Sequence, residues 1–239
     1  MYFEHTPAIW AAFPSLAPGI LLIEGVRPDA DVAAALEPLF ARARARLAGG
    51  GAESNLPEIQ AWRRAFSQMG LKPTQYRSAA EALLRRFRKE GALPALHPLV
   101  DLCNAVSLAY ALPVAVIDLD QVEGFIAVRH ADGDEVYLAF SGETEHPEPG
   151  EVIFADAARQ VHARRWTFRQ SRRSTVGLGT RRALVVSEGL HAGARDDVAE
   201  LLATLEGALH GAGFAPSRRA VLSAAAPRWE SASDAERIL

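Results

Sequence analysis

The chain has 239 residues, 49% of them hydrophobic, which is enough for one large core or two smaller ones. Its formal net charge is −3, so the whole molecule has no general attraction for polyanions, and a nucleic-acid role requires a local concentration of positive charge. Cys103 is the only cysteine, which excludes an internal disulfide and a zinc site built from several cysteines of one chain. No stretch approaches the roughly 18 consecutive apolar residues of a membrane helix, and no secretory leader is recognisable. We therefore expect a soluble, cytoplasmic protein without a membrane partner.

The first hundred residues predict one strand followed by several helices. Residues 19–26 form a β-rich run between two prolines and predict a buried strand. Residues 31–47 predict a helix that ends at three glycines, and residues 55–70 predict another, with Asn55 and Glu58 as a capping box. Ser78 and Glu81 repeat that pair at the start of a basic helix.

Residues 98–112 predict a mostly buried helix that carries a polar stripe. Asp101, Asn104 and Ser107 recur at a spacing of three, which places them along one side of the helix. Buried polar groups must find partners, so the stripe either ties neighbouring loops together or lines a pocket. His97, just before Pro98, is interpreted as a helix cap rather than a general base.

From Pro113 onward the pattern changes to short β runs. The predicted strands read PVAVIDL, GFIAVRH, EVYLAF, EVIFAD, VHARRWTFRQ and RALVVSE, and residues 131–134 between the second and third give a hairpin signal. An amphipathic helix over residues 196–209 follows, and the tail after Gly213 is expected to be loosely attached. Strands and helices do not alternate strictly, which favours an α+β fold with antiparallel or mixed sheets over a doubly wound parallel sheet.

A cationic segment stands out in the second half of the chain. No acidic residue occurs between Ala157 and Ser187, and the interval contains eight arginines: Arg159, Arg164, Arg165, Arg169, Arg172, Arg173, Arg181 and Arg182. Arginine is well suited to bidentate contacts with phosphate or carboxylate. The segment predicts a binding surface, with a merely solvated strand and loop as the alternative.

Within this segment, residues 164–170 alternate in character if they form a strand. Arg164, Trp166 and Gln170 would then share one face, with Arg165 and Arg169 on the other. The tryptophan can stack on a base or an aromatic group while an arginine holds phosphate. The alternative is that the rings anchor the core and the arginines pair with Glu143, Glu151 or Asp156. Residues 170–175 are rich in side-chain donors, as a phosphate-contacting loop would be.

Several other chemistries lack their sequence patterns. There is no GxSxG nucleophile elbow, no GxxxxGK[ST] phosphate loop and no strand-linked GxGxxG. The seven histidines are scattered, without an HExxH or comparable pair. We therefore expect neither a metal nor another cofactor.

Three stretches carry a family resemblance. LPALHPLVDLCNAVSLAYALPVAVIDLD, the downstream GEVIFAD and the closing TRRALVVSE resemble the B3/B4 domain, the tRNA-binding and editing domain of the bacterial phenylalanyl-tRNA synthetase beta subunit. RRWTFRQ is similar to freestanding B3/B4 proteins. The resemblance covers about residues 55–190 and implies an α+β domain built on a β-sandwich of mixed or antiparallel sheets with flanking helices. Residues 1–54 would pack a strand and a helix on that core, and residues 191–239 would add a helix and tail, all in one compact unit.

The resemblance also implies a pocket, which in the synthetase hydrolyses tyrosine wrongly attached to phenylalanine tRNA. Asn104 matches the family's asparagine, and Cys103 stands at its threonine position. A family histidine is missing, because Ala115 stands two residues after Pro113. A glycine-rich pocket segment is replaced by bulky residues 165–170. We therefore expect a changed ligand.

The leading hypothesis is an RNA-associated protein that binds a tRNA acceptor end or an aminoacyl group, with a freestanding aminoacyl-tRNA deacylase as one form that it could take. The alternative is a binding module or enzyme for a small amino-acid-like carboxylate without RNA. A third is a scaffold with a vestigial pocket. The expected catalytic residues are Asn104 and Glu143, the substrate contacts Ser107, Arg165, Trp166, Arg169 and Gln170, and the RNA contacts Arg164, Arg172 and Arg173.

Overall fold

Two β-sheets and a set of helices make up the described part of the chain, residues 1–49 and 51–231 of a computed structural model. The helices are α1 (Pro7–Ala12), α2 (Ala33–Ala48), α3 (Pro57–Gln68), α4 (Ala79–Glu90), α5 (Pro98–Tyr110) and α6 (Ala194–Gly211). The strands are β1 (Tyr2–His5), β2 (Ala17–Glu24), β3 (Val114–Asp118), β4 (Phe125–His130), β5 (Val136–Leu138), β6 (Thr144–Glu145), β7 (Val152–Ala155), β8 (Gln160–Arg164), β9 (Arg169–Gln170), β10 (Arg182–Gly189), β11 (Ala215–Val221) and β12 (Arg228–Glu230). The expected α+β class is confirmed.

The smaller sheet forms the middle layer of the molecule. Its four strands are antiparallel in the order β11-β2-β10-β3. Ile20 and Leu22 of β2 face a core shared with the larger sheet, whereas Leu21 and Ile23 face a second core under α2, α5 and α6. Because both faces of β2 are buried, its sequence is a continuous apolar run rather than an alternating one.

The larger sheet covers one face of the smaller sheet and is mixed. Its strands follow the order β12-β1-β4-β7-β8-β5-β6, with β9 paired to β8. β1 runs parallel to β4 and β5 runs parallel to β8, while the other pairs are antiparallel. Phe3 and Phe154 from this sheet meet Leu184 and Val186 of β10 in the core between the sheets. The two sheets therefore form the expected sandwich.

The hairpin predicted at residues 131–134 is wrong. β4 and β5 flank that turn but do not pair, because β1 and β7 already occupy the two edges of β4. The turn itself is real: the Glu135 carboxylate accepts the N–H groups of Asp132 and Gly133. The turn sends the chain across the sheet, where β5 adds beside β8.

Residues 164–170 do not form one strand, which corrects the predicted alternation of their side chains. β8 ends at Arg164, and the chain reverses over residues 165–168 into β9. Arg165 and Trp166 adopt left-handed backbone conformations, with φ of 46° and 59°. Such conformations are costly for residues with side chains and need support from their surroundings. The backbone N–H of Trp166 supplies part of this support, since it donates to the Val152 carbonyl over 2.7 Å.

The ends of α4 follow the sequence signals, whereas the start of α3 does not. Ser78 caps α4, since its hydroxyl accepts the Glu81 N–H, and Gly91 ends that helix in a left-handed conformation. Asn55 does not cap α3, because it lies in a short 3-10 turn and the helix begins with Pro57 at its first position. Proline is a favourable start since its missing N–H would have no partner there.

The tail after Gly213 is not loosely attached. β11 pairs with β2 over seven residues, β12 pairs with β1, and Trp229 is buried in the core between the sheets. β2 thus joins strands from the middle and the end of the chain, since its other neighbour is β10. Residues 232–239 lie outside the described part. None of the described helices has the length and apolar character needed to cross a bilayer.

The contact between β2 and α6 gives a test of the packing. A Cβ on Gly19 would lie 2.4 Å from Val198 Cγ1 and 2.9 Å from Leu202 Cδ1. We expect Gly19→Ala to lower the free energy of unfolding by about 1–3 kcal/mol through overpacking. Gly207→Ala is the control: Gly207 is exposed within α6 with open space around it, so alanine there should add about 0.5–1 kcal/mol. Urea denaturation of both variants measures the difference, and equal effects would contradict this packing.

Candidate functional site

Two adjoining cavities open where β3 and β10 meet the turn at residues 165–168 and the segment that follows it. The inner cavity has a volume of about 60 Å³ and is lined by residues that include Ala115, Phe154, Trp166, Val186 and Glu188. The outer cavity has a volume of about 500 Å³ and lies beside α5, lined by residues that include His97, Cys103, Asn104, Thr175 and Val176. Val114 and Gln170 line both cavities. The two cavities are therefore neighbours that share part of one wall.

A buried carboxylate marks the inner cavity. Glu188 Oε1 accepts the indole N–H of Trp166 over 2.8 Å and lies 2.6 Å from His5 Nε2. Its backbone carbonyl accepts the indole N–H of Trp62. Oε2 receives no hydrogen bond from any described residue, although Glu188 is 2% exposed. A carboxylate oxygen without a partner beside a cavity is a ready acceptor for a ligand donor.

The inner cavity is small because Trp166 forms one of its walls. The indole is fully buried and packs edge-on against Trp62 and Phe13, with ring centroids 5.0 Å and 4.8 Å away. Trp166 is therefore unable to stack on an exposed base, but it does contact whatever enters the inner cavity. A closed protein cavity of about 150 Å³ holds benzene. A volume of about 60 Å³ is well below that value, so it favours a small side chain over an aromatic one.

Three polar side chains face the outer cavity. Asn104, half-buried on α5, forms no side-chain hydrogen bond with the described residues. Gln170 donates from Nε2 to the Val116 carbonyl over 2.6 Å, which fixes the amide at the boundary between the cavities. His97 caps α5, as the sequence predicted, with Nδ1 accepting the Leu99 N–H. Cys103 is fully buried, and burial raises the pKa of its thiol, so it is not a nucleophile at neutral pH.

An apolar rim surrounds the mouth of the outer cavity. Leu96, Phe140 and Leu178 line it and are 68%, 61% and 78% exposed. Met1 is the only other exposed large hydrophobic residue in the described part of the chain. Exposed apolar side chains gathered at one opening are typical of a binding surface, whereas scattered ones need no explanation.

The arginines of the turn are held by carboxylates. Arg164 is buried and forms two hydrogen bonds with Glu151, of 2.9 and 2.8 Å, and a third with Glu145. Burial acts against ionisation of Glu151, but Arg164 outweighs it and holds the pKa of that carboxyl below its usual range. Arg164 therefore does not have the exposed position expected of an RNA contact. Its ion pairs with Glu145 and Glu151 have a structural role.

Arg165 and Arg169 are partly engaged in the same group. Arg165 donates its backbone N–H to Glu151 and lies over the Tyr76 ring, outside both cavities. Arg169 lines the inner cavity and lies 3.4 Å from Glu145. Of the substrate contacts expected on this turn, the structure brings Trp166, Arg169 and Gln170 together and leaves Arg165 apart.

Arg172 and Arg173 are exposed on a short 3-10 turn, Arg172–Ser174. Their guanidinium groups make no ion pair with the described residues. The turn connects the inner-cavity residue Gln170 to the outer-cavity residue Thr175. These two cations are therefore available beside the outer cavity, as the RNA-contact expectation requires.

Two other expected site residues lie away from the cavities. The Ser107 hydroxyl is fully buried and donates to the Leu112 carbonyl over 2.6 Å, which secures the end of α5. Glu143 is exposed in a tight turn, where its carboxylate accepts from Ser141. Neither residue lines the inner or the outer cavity, so Glu143 is not positioned as a base for a ligand there.

Two groups of side chains in the described part of the chain have metal-ligand character. Glu58, His191 and Asp197 lie together, but Arg46 already bonds Glu58, and Asp197 lies 2.7 Å from His191. Both carboxylates sit in first turns of helices, where the helix dipole favours anions and disfavours a cation. The second group, Asp132, Asp134 and Glu135, already binds Arg129 and Arg159. Both groups are explained without a metal.

Glu188 and His5 are the site residues that sequence reasoning missed. The run RALVVSEG predicts a strand, and in a strand Glu188 shares a face with the core residues Val186 and Leu184. That alternation was a usable signal for an inward-facing carboxylate. The sequence around His5 carries no such signal. His5 meets Glu188 because β1 lies in the larger sheet, opposite the smaller sheet that contains Glu188.

Comparisons with known proteins agree with this architecture. The family described as B3/4 domain matches residues 61–199, more than half of the chain. The phenylalanine-tRNA ligase beta subunit of Cereibacter sphaeroides is 31% identical over 77 residues, which cover 32% of this chain and 9% of that protein. The corresponding subunit of Fusobacterium nucleatum is 29% identical over 91 residues, or 38% of this chain and 11% of that protein.

A solved structure shows the same fold. The crystal structure of an N-terminal fragment of the phenylalanyl-tRNA synthetase beta subunit from Pyrococcus horikoshii aligns with 90% of this chain and 49% of that one, at a TM-score of 0.50 and 11% identity. The matched segments span about a tenth of the length of the two curated relatives.

The reassignment of Arg164 leads to a stability prediction. Arg164→Ala leaves Glu151 buried without its partner, and we expect it to lower the free energy of unfolding by about 3–5 kcal/mol. The exposed Arg172→Ala and Arg173→Ala are the controls, each expected to change stability by no more than about 0.5 kcal/mol. Chemical denaturation of the three variants makes the comparison, and a neutral Arg164→Ala would contradict the structural role.

Proposed function

The chain belongs to the B3/4 domain family, and from that premise we propose that it binds the aminoacyl end of an aminoacyl-tRNA and hydrolyses the ester that carries the amino acid. The observation that carries this proposal is the pair of adjacent cavities, with the free oxygen of Glu188 in the inner one and the amides of Asn104 and Gln170 in the outer one. Such a site matches a ligand with a small polar head and a larger body.

The inner cavity selects the amino acid in this proposal. Its volume of about 60 Å³ admits a small side chain, and Glu188 Oε2 favours one that donates a hydrogen bond. Serine and threonine meet both conditions. Alanine meets only the first, and tyrosine is excluded by the Trp166 wall. The substrate would then differ from the tyrosine that the resemblance implies for the synthetase domain.

The outer cavity would take the terminal nucleoside. Its volume of about 500 Å³ lies within the roughly 300–1,000 Å³ of ordinary ligand pockets. Phe140 on the rim offers an exposed aromatic face, and stacking of a base on such a ring contributes about 1–3 kcal/mol. Arg172 and Arg173 lie where the preceding phosphates would leave the cavity.

Positioning would supply most of the catalysis. The ester lies at the boundary of the cavities, where Gln170 is fixed and Asn104 has free donors and an acceptor. Water adds its oxygen to the acyl carbon, the bond to the ribose oxygen breaks, and the departing ribose oxygen takes a proton from that water. Holding ester and water in a reactive geometry is worth several orders of magnitude in rate. Asn104 retains the catalytic role in this proposal, and Glu143 does not.

One observation favours a second candidate, a protein for a small amino-acid-like carboxylate without RNA. Arg164, Arg165 and Arg169 are all engaged by Glu145 or Glu151, so that among the arginines of residues 164–173 only Arg172 and Arg173 form no ion pair with the described residues. Charge reversal, Arg172→Glu with Arg173→Glu, separates the candidates. An RNA ligand loses affinity and the salt dependence of its binding flattens, because both report phosphate contacts. A small ligand held in the inner cavity is unaffected.

Hydrolysis of a panel of charged tRNAs tests the proposed function. We expect seryl- and threonyl-tRNA to be deacylated at least about tenfold faster than tyrosyl- or phenylalanyl-tRNA, because one unsatisfied or clashing contact costs more than about 1.4 kcal/mol. Asn104→Ala should abolish the acceleration while leaving the melting temperature close to that of the parent, because its side chain bonds no described residue. Absence of hydrolysis across the panel, together with absence of tRNA binding at low salt, would refute the proposal.

A further inference from the structure

His97 carries an unused hydrogen-bond donor beside the outer cavity. We propose that its Nε2–H binds the carbonyl oxygen of the acyl group, the oxygen that becomes negatively charged when water attacks. This inference rests on the proposed function and adds to it a residue that touches the reacting atoms.

The cap contact determines which ring nitrogen bears the proton. His97 Nδ1 accepts the Leu99 N–H over 3.2 Å, so Nδ1 must present its lone pair to the helix. A neutral imidazole has one donor and one acceptor nitrogen. The proton is therefore on Nε2, the nitrogen opposite the cap.

The surroundings keep the ring neutral. Burial lowers the pKa of His97, and the nearby Asp101 carboxylate opposes that shift without cancelling it. Asp101 is itself engaged, since both of its oxygens accept the Leu96 N–H. At neutral pH the ring is therefore neutral and keeps its Nε2–H. It can donate this hydrogen to an oxygen that becomes negatively charged.

Nε2 donates to no residue in the described part of the chain. His97 is 6% exposed, and Nε2 is buried without a hydrogen bond to any residue that the structure describes. A donor without a partner, on a side chain that lines a cavity, can be satisfied by a ligand in that cavity. His97 lines the outer cavity together with Asn104 and Gln170, the two amides at the proposed position of the ester.

The helix adds to the preference for a negative oxygen. His97 is the N-cap of α5, a helix of 13 residues, and Val100 of its first turn lines the outer cavity, so the positive end of the helix dipole lies beside that cavity. A neutral donor and a helix N-terminus together stabilise an oxyanion without competing for its proton. A cationic residue is not needed there.

Two isosteric substitutions separate the cap from the donor. His97→Asn places an amide oxygen where Nδ1 was, so it keeps the cap and loses the Nε2 donor. His97→Gln places an amide N–H where Nε2 was, so it keeps the donor and loses the cap. A purely structural histidine would be replaced well by asparagine and poorly by glutamine in every assay.

The experiment uses the full chain and a non-hydrolysable probe, 3′-deoxy-3′-(serylamino)adenosine, whose amide carbonyl replaces that of the ester. Nitrogen NMR of the histidine-labelled free protein should show the Nε2–H tautomer for His97, and the probe should shift that Nε2 signal. Calorimetry should show about tenfold weaker probe binding for His97→Asn, as expected for one lost hydrogen bond, with His97→Gln within about threefold of the parent.

The possible failures are distinguishable. A proton on Nδ1 in the free protein overturns the inference, as does parental affinity in His97→Asn, and both leave the proposed function standing. If the parent protein fails to bind the probe at millimolar concentration, the proposed function falls, and this inference falls with it.

Discussion

The contact on which the site depends is the one between Glu188 and the two side chains that meet its Oε1. His5 comes from the larger sheet, Glu188 from the smaller sheet, and Trp166 from the turn between β8 and β9. This contact joins the two layers of the sandwich at the point where the inner cavity lies. Because it uses only one carboxylate oxygen, the same residue that fixes the architecture still offers an acceptor to a ligand.

The contacts of the Trp166 indole explain the left-handed turn at Arg165 and Trp166. Two residues with large side chains hold unfavourable backbone angles because the indole is packed among Trp62 and Phe13 and bonded to Glu188. Glu151 supports the turn from outside by accepting both the Arg165 N–H and the Arg164 guanidinium. The turn is what reduces the inner cavity to about 60 Å³, and so what sets the proposed choice of a small amino acid.

Sequence patterns within single elements predicted most helices and strands. They did not predict which strands pair, because pairing depends on residues far apart in the chain. The buried strand at β2, the Ser78 and His97 caps and the polar stripe of α5 follow from spacing and residue type within one element. The pairing of β5 with β8, and the closure of the sandwich by β1 and β12, depend on which strand edges are already occupied. Asn104 and Gln170, which line the cavities, were candidates on residue type within a single segment, whereas the contact of His5 with Glu188 depends on strand pairing and has no local signal. The arginines were misjudged individually, since only packing reveals that Arg164 is buried and Arg172 is not.

A crystal structure of the protein with a bound seryl-adenosine amide would show whether the aminoacyl group enters the inner cavity. We expect the seryl hydroxyl within hydrogen-bond distance of Glu188 Oε2, the amide between Asn104 and Gln170, and the adenine in the outer cavity against Phe140. A seryl group bound away from Glu188, or a nucleoside bound elsewhere on the surface with both cavities empty, would contradict it.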